Sequence, residues 1–201
     1  ELTPDVKHNL VLIKGRATRL ENMINGLLEY AKVGKIKKGY EAVDVTDLVL
    51  ETVELLVPKH FKVEITSAMP VIVTERLHIE QVFSNLISNA VKYNHNPKPV
   101  IIISATELHD AYQFTVSDNG QGIQKEYFDR IFVIFQTLQE RDAFESTGVG
   151  LAIVKKIVED YKGTITVNSE PGRGTSFVFT WPKTNNRPIS TKYENKHHFI
   201  S

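Results

Sequence analysis

Cysteine is missing from this sequence, which excludes disulfide bonds and cysteine-ligated zinc and is compatible with a reducing compartment. Net charge is missing too. Lys+Arg and Asp+Glu stand at 24 each over 201 residues, so no global basic field points to nucleic acid as a partner. No run of about 18 apolar residues occurs and no signal-peptide pattern opens the chain, so a soluble piece is expected. What is present is a hydrophobic fraction of 41%, enough for a core, in a length that fits one large domain or a compact domain with an appendage. The first residue is Glu1 rather than Met, so the chain is expected to begin inside a longer protein. An upstream sensor or membrane anchor would lie beyond it.

The opening stretch reads as one helix. Thr3 suits the N-cap, Pro4 the first helical position and Asp5 the first turn. Val6, Leu10, Ile13, Ala17, Leu20, Ile24, Leu27 and Ala31 then follow at spacings alternating between 4 and 3, a coiled-coil seam sustained over more than three heptads. Such a narrow seam favours a partner helix over a sheet face of the same chain. Gly34 should end the helix, and Gly39 lies in a lysine-rich turn. Beyond it, short strands are expected at 42–45, 62–66 and 71–74, with a helix at 47–57 ending before Pro58. A helix over 75–93 precedes a strand pair at 100–106 and 112–117 that flanks His109-Asp110. A short helix near 125–131, a polar lid over 136–147, a helix over 149–161 and a hairpin of 164–169 with 175–181 complete the pattern. The tail from Lys183 is polar and aperiodic, and disorder is expected there. Strands and helices interleave without regular βαβ order, which predicts an α+β layer sandwich.

The helix over 75–93 is unusual on its polar side. Ile79, Val82, Phe83, Leu86, Ile87, Ala90 and Val91 form a wide apolar arc. Opposite them, His78, Gln81, Asn85, Ser88, Asn89 and Lys92 share one stripe. Two amide oxygens one turn apart with a cation beyond suit a magnesium–phosphate group; taken alone, the same stripe also reads as amides facing water. Three glycine clusters follow. Asp118-Asn119-Gly120-Gln121-Gly122-Ile123 closes a strand, with glycines that admit a planar ligand and a carboxylate that can accept from an exocyclic amino group. Ser146-Thr147-Gly148-Val149-Gly150-Leu151 enters a helix whose first amides suit phosphate. Gly172-Arg173-Gly174-Thr175 sits in the last hairpin. Each is a common turn by itself; their order and spacing are far more specific.

In sequence these are N-L-I-S-N-A-V-K-Y, D-N-G-Q-G-I, F-D-R-I-F-V-I-F, T-G-V-G-L-A-I-V-K-K-I-V and G-R-G-T-S-F. Together they resemble the asparagine, first glycine, phenylalanine, second glycine and terminal glycine boxes of the ATP-binding domain of bacterial two-component sensor histidine kinases. The phenylalanine and second glycine boxes look similar to those of phytochrome-like kinases. The resemblance covers roughly residues 42 to 182 and implies the two-layer α/β sandwich called the Bergerat or GHKL fold, here behind a long coiled-coil-like helix. It implies ATP and Mg2+ as cofactors, with Asn89 holding the metal, and Asn85 and Lys92 as the catalytic pair beside the phosphates. Tyr93 would line the nucleotide site. Asp118 would accept from the adenine amino group against a wall of Gly120, Gly122 and Ile123. Gly148, Gly150 and Leu151 would close over the phosphates, and Thr175 would sit near the adenine. Phe128, Phe132 and Phe135 match the aromatic box, and core packing explains them equally well.

Related ATPases of this fold carry a water-activating glutamate where this chain has Asn85. An amide is a poor general base, and Glu80 lies about 140° around the helix from Asn85. The implied chemistry is therefore phosphoryl transfer to a histidine supplied by a dimerisation helix, not brisk hydrolysis. The opening helix resembles the second helix of the dimerisation region. His8, followed by Asn9-Leu10-Val11-Leu12 without proline, lacks the acceptor motif, so the phosphoacceptor histidine is expected outside this chain. The implied organisation is a truncated dimerisation region over 1–34, an ATP-binding catalytic domain over 35–182 and a flexible tail over 183–201. The implied partners are a response-regulator receiver domain and a second copy paired through the first helix in the intact protein. A bacterial cytoplasmic location goes with them, and membrane contact would come only through an upstream anchor. A GHKL-type ATPase of another class, or a non-catalytic nucleotide-sensing module, is the alternative.

Overall fold

The computed structural model describes residues 3–32, 39–136 and 148–183. The chain runs α1 (Pro4–Lys32), β1 (Glu41–Asp44), α2 (Val45–Leu56), β2 (Lys62–Ile65), β3 (Val71–Thr74) and α3 (Arg76–Lys92). There follow β4 (Val100–Glu107), β5 (Ala111–Asp118), a 3-10 turn (Lys125–Tyr127), α4 (Gly150–Asp160), β6 (Ile165–Glu170) and β7 (Gly174–Pro182). One sheet has the order β2-β4-β5-β7-β6, with β2 parallel to β4 and every other pair antiparallel. Strands β1 and β3 form a separate antiparallel pair.

Alternation along the strands decides which face of the large sheet is covered. Ile101 and Ile103 of β4, Phe114 and Val116 of β5, and Phe177, Phe179 and Trp181 of β7 are buried, while Ile102, Thr115 and Val178 between them are not. Helices α2, α3 and α4 lie on the covered face and join these residues in one core. This is the expected two-layer sandwich. At its centre the Phe83 ring meets Phe114 edge-on at 5.5 Å and Phe179 at 5.4 Å, and those two stack at 5.2 Å. All three rings are fully buried, which fixes the rotation of α3 about its own axis.

Most boundaries shift by a residue or two from the sequence reading, and two of the differences have a plain physical cause. The first strand stops at Asp44 because that side chain accepts from the backbone N–H of Thr46 at 2.8 Å and of Asp47 at 3.4 Å, so Val45 is already helical. The helix expected near 125–131 is only a 3-10 turn at Lys125–Tyr127 followed by further turns. Bonds such as Arg130 N–H to Tyr127 O (2.9 Å) and Val133 N–H to Arg130 O (3.0 Å) keep the chain tight enough to turn Ile131 inward. The turn at Gly34, most of the lid and the tail beyond Lys183 lie outside the described residues.

Helix α1 uses two faces. Met23, Gly26 and Tyr30 are half-buried: Gly26 backs onto the Val149 side chain, and Lys156 Nζ donates to Tyr30 O at 2.8 Å while lying 4.2 Å from its ring centroid. The heptad seam points elsewhere, with Val6, Leu10, Ile13, Leu20, Ile24 and Leu27 between 41% and 62% exposed. Among the described residues nothing covers that seam. No described helix is long and apolar enough to cross a membrane.

Removing the Phe83 ring leaves a hole among three helices and a sheet. Phe83→Ala is expected to lower stability by about 3–5 kcal/mol, measured by urea unfolding with an unchanged m-value.

Candidate functional site

The stripe on α3, the end of β5, the start of α4 and the start of β7 converge on one cavity of about 210 Å³. Asn85, Ser88, Asn89, Lys92 and Tyr93 line it from α3 and its C-cap. Asp118, Gln121, Gly122 and Ile123 form the wall after β5, and Thr175 and Phe177 come from β7. Gly148, Gly150 and Leu151 close the α4 side, with Ile131 and Gln136 beside them. Eleven of the twelve residues expected from sequence therefore meet here. The exception is Gly120, which is buried behind the wall, its N–H donating to Asp118 Oδ1 at 2.8 Å. A side chain there would meet the Tyr93 carbonyl, so Gly120 serves the turn rather than lining the cavity.

The amide stripe is shorter than the sequence implied. His78 is buried, its Nδ1 2.9 Å from the Tyr161 hydroxyl, because the C-terminal end of α4 covers the first turn of α3. Gln81 lends its backbone oxygen to Asn85 Nδ2 at 2.8 Å and lines a separate cleft with Glu29, Lys32 and Glu80. That bond fixes the Asn85 amide, since a carbonyl can only accept. Its Oδ1 then faces Gly150, where an added Cβ would stand 2.5 Å away. Asn89, one turn on, makes no side-chain hydrogen bond among the described residues, which leaves its oxygen available to a cation. No group of three or more His, Asp or Glu among the described residues could hold a metal by itself. A magnesium ion shared between one amide oxygen and bound phosphates fits such a site.

Among the described residues, helix α4 begins without a side-chain cap and without an acid in its first turn, which leaves its first N–H groups available at the cavity. The two roots of the lid are tied by the Phe135 N–H donating to Gly148 O at 2.9 Å. Gly148 has φ +67°, and an added Cβ would crowd the Gln136 carbonyl at 2.6 Å. Across the cavity, Gly122 has φ +71°, and a side chain there would run into the Glu170 carbonyl.

Asp118 is the one carboxylate among the described lining residues. Burial pushes its pKa up to about 6, against the pull of the Gly120 and Thr175 backbone amides. Behind it, Asn119 knits the turn together. Its Oδ1 accepts from Asn94 Nδ2 at 2.9 Å and from the Val100 N–H at 2.8 Å, and its Nδ2 donates to Lys98 O at 2.9 Å. Among the aromatic-box residues, Phe132 packs edge-on against Phe177 at 6.4 Å, and none of Phe128, Phe132 and Phe135 lines the cavity. Sequence reasoning missed Ser88, Gln121, Ile131, Gln136 and Phe177 as lining residues. Phe177 was findable as the next inward position after Thr175 on β7.

Residues 74–185 match the family model described as histidine kinase-, DNA gyrase B- and HSP90-like ATPase. The chain belongs to this family. Its relatives are sensor kinases: it is 38% identical over 167 residues to phytochrome-like protein Cph1 of Synechocystis, covering 81% of this chain and 22% of that one. It is 30% identical over 192 residues to the aerobic respiration control sensor ArcB of Escherichia coli, covering 90% of this chain and 25% of that one. Among solved structures, full-length ShkA in complex with AMPPNP superposes with a TM-score of 0.70 at 25% identity, over 90% of this chain and 40% of that one. The fold is thus that of the GHKL ATPase domain, which sensor histidine kinases share. The chain spans about a quarter of the length of the curated relatives it matches.

The raised Asp118 pKa has a signed consequence. Between pH 4 and 6 the folded state holds a proton that the unfolded state releases, so stability falls as pH rises through that window and levels off above it. Asp118→Asn removes the ionisation. The stability of the variant relative to the parent is expected to be about 2–3 kcal/mol more favourable at pH 7 than at pH 4, by thermal or urea unfolding without nucleotide. A pH-independent difference would contradict the buried, ionising carboxylate.

Proposed function

We propose that this chain binds Mg-ATP and forms the catalytic part of a sensor histidine kinase, delivering the γ-phosphoryl group to a histidine on another helix. The observation that carries this reading is the convergence of the Asn85–Asn89–Lys92 stripe, the Asp118 wall and the uncapped start of α4 on one cavity. In this reading Asp118 and Thr175 receive the adenine, Lys92 and the α4 amides face the phosphates, and Tyr93, Gly122, Ile123, Gly148 and Leu151 shape the walls. Asn89 holds the magnesium, which neutralises phosphate charge when bound. Asn85 steadies the phosphate end without abstracting a proton.

The transfer breaks the bond from the γ-phosphorus to the bridging oxygen and forms one to an imidazole nitrogen, with ADP leaving. The nucleophile comes from a dimerisation helix that pairs with α1 along the exposed Val6–Ala31 seam in the intact protein. The phosphoryl group then passes to an aspartate of a response-regulator receiver domain. The related ThkA was solved in complex with the response regulator TrrA, and it superposes on this chain with a TM-score of 0.68 at 24% identity. A cytoplasmic location follows from the need for ATP and a receiver domain. In domain terms, residues 1–34 belong to the dimerisation region, 35–182 to the catalytic domain and 183–201 to a tail.

Calorimetry with a non-hydrolysable ATP analogue is expected to show magnesium-dependent binding. Asn89→Ala should weaken it about tenfold with magnesium and little without, the amide–cation contact being worth on the order of 1–2 kcal/mol. With labelled ATP the chain alone should neither hydrolyse briskly nor label His8. It should phosphorylate an added dimerisation domain that carries an acceptor histidine. Stable acid-labile label on His8, or absence of nucleotide binding by the folded chain, would sink the proposal.

A further inference from the structure

Thr175 lines the cavity, and its hydroxyl is held by a residue that does not. Ser169 of β6 pairs with Thr175 of β7 across the antiparallel ladder, and three polar atoms surround its Oγ. Gly174 O lies at 2.7 Å, the Ile123 N at 2.8 Å and Thr175 Oγ1 at 3.0 Å. The direction of each bond follows from what the partners can do. A carbonyl oxygen only accepts, so the single Ser169 proton goes to Gly174 O. A backbone N–H only donates, so Ile123 uses one Ser169 lone pair. The remaining lone pair faces Thr175, whose own proton must therefore point at Ser169.

Thr175 consequently offers the cavity lone pairs and no proton. Its register partner on β5 is Asp118, a carboxylate whose neighbours Gly120 N–H and Thr175 N–H donate to it. The two polar side chains at this end of the cavity are both acceptors.

We infer that Ser169 sets the purine preference of the site: by consuming the Thr175 proton, it makes this end accept a 6-amino purine and reject a 6-oxo purine. The inference rests on the nucleotide-binding reading above. A 6-oxo group would bring an acceptor against two acceptors and leave buried lone pairs unpaired, the kind of mismatch that gives strong discrimination. Ser169 acts through Thr175 and is a positioning residue. Without it, the Thr175 hydroxyl can rotate and donate to a 6-oxo oxygen.

The test compares ATP with ITP, the 6-oxo analogue, by calorimetry on the whole chain in excess magnesium. The parent should prefer ATP. Ser169→Ala should narrow the ATP:ITP affinity ratio about tenfold, chiefly by improving ITP, and Ser169→Thr, which keeps a hydroxyl, should restore the ratio. In a Thr175→Val background, Ser169→Ala should leave the ratio unchanged. A merely structural loss at the Ile123 N–H would weaken both nucleotides alike and not move the ratio. An unchanged ratio in Ser169→Ala, or an equal change in the Thr175→Val background, overturns the inference while nucleotide binding stands. Should Ser169→Ala not fold, Thr175→Val alone decides, since it must also narrow the ratio. Failure of the parent to bind ATP would instead bring down the underlying reading.

Discussion

The packing of Phe83 between Phe114 and Phe179 governs more of this molecule than its own burial suggests, because it sets the rotation of α3. An α-helix advances about 100° per residue, so fixing one side chain on the sheet fixes the direction of every other. With Phe83, Leu86, Ile87 and Ala90 turned to the core, Asn85, Ser88, Asn89 and Lys92 are left facing the cavity. A rotation of one residue would bury an amide without a partner and expose a phenyl ring, and both changes cost free energy. The site is therefore rigid on the α3 side for reasons that lie in the core. Its opposite side is built differently. There, Asn119 and Ser169 satisfy several backbone groups each, and the positions of Asp118 and Thr175 follow from hydrogen bonds instead of apolar packing.

This division explains which parts were legible in the sequence. Helical and strand periodicity reports burial, so the sandwich, the α3 stripe and the α1 seam could be read directly from spacing. Residue type in a special turn reports backbone demand, so Asp118, Gly122 and Gly148 stood out. What failed depends on contacts between elements distant in sequence. His78 sits on the amide stripe by angle, yet Tyr161, from the other end of α4, covers it. Gly120 belongs to the same glycine motif as Gly122 but turns behind the wall, close to the Tyr93 carbonyl. Ser169 reads as an ordinary polar strand residue until the β6–β7 register puts it beside Thr175. Strand Asp44 marked a boundary that alternation cannot see, because its side chain caps the following helix.

Helix α1 meets these features through one of its two faces. Its seam is exposed among the described residues, whereas its other face is engaged beside the cavity. Gly26 touches Val149, which sits between Gly148 and Gly150, two lining residues, and Lys156 of α4 closes on the Tyr30 carbonyl and ring. The contact is small and partly polar, and such an interface opens more readily than a core. The helix that carries the exposed seam is thus seated on α4, whose first turn faces the cavity.

The same economy of contacts bears on the proposed reading, in which the site binds a triphosphate without passing it to water. Asn85 gives its amide nitrogen to the Gln81 carbonyl and turns its oxygen to the start of α4. A carboxylate at this position could not make the first bond, because it has no proton to donate to a carbonyl. It would also set a negative charge where the proposed phosphates would concentrate one, and against the helix amides that would otherwise serve them. The only carboxylate on the described walls, Asp118, is turned to the Gly120 amide at the β5–β7 end. With no carboxylate at the proposed phosphate end of the described walls, the proposed reading needs only positioning there, and the chemical step would wait for its nucleophile. In that reading, the amide at position 85 keeps those two functions separate.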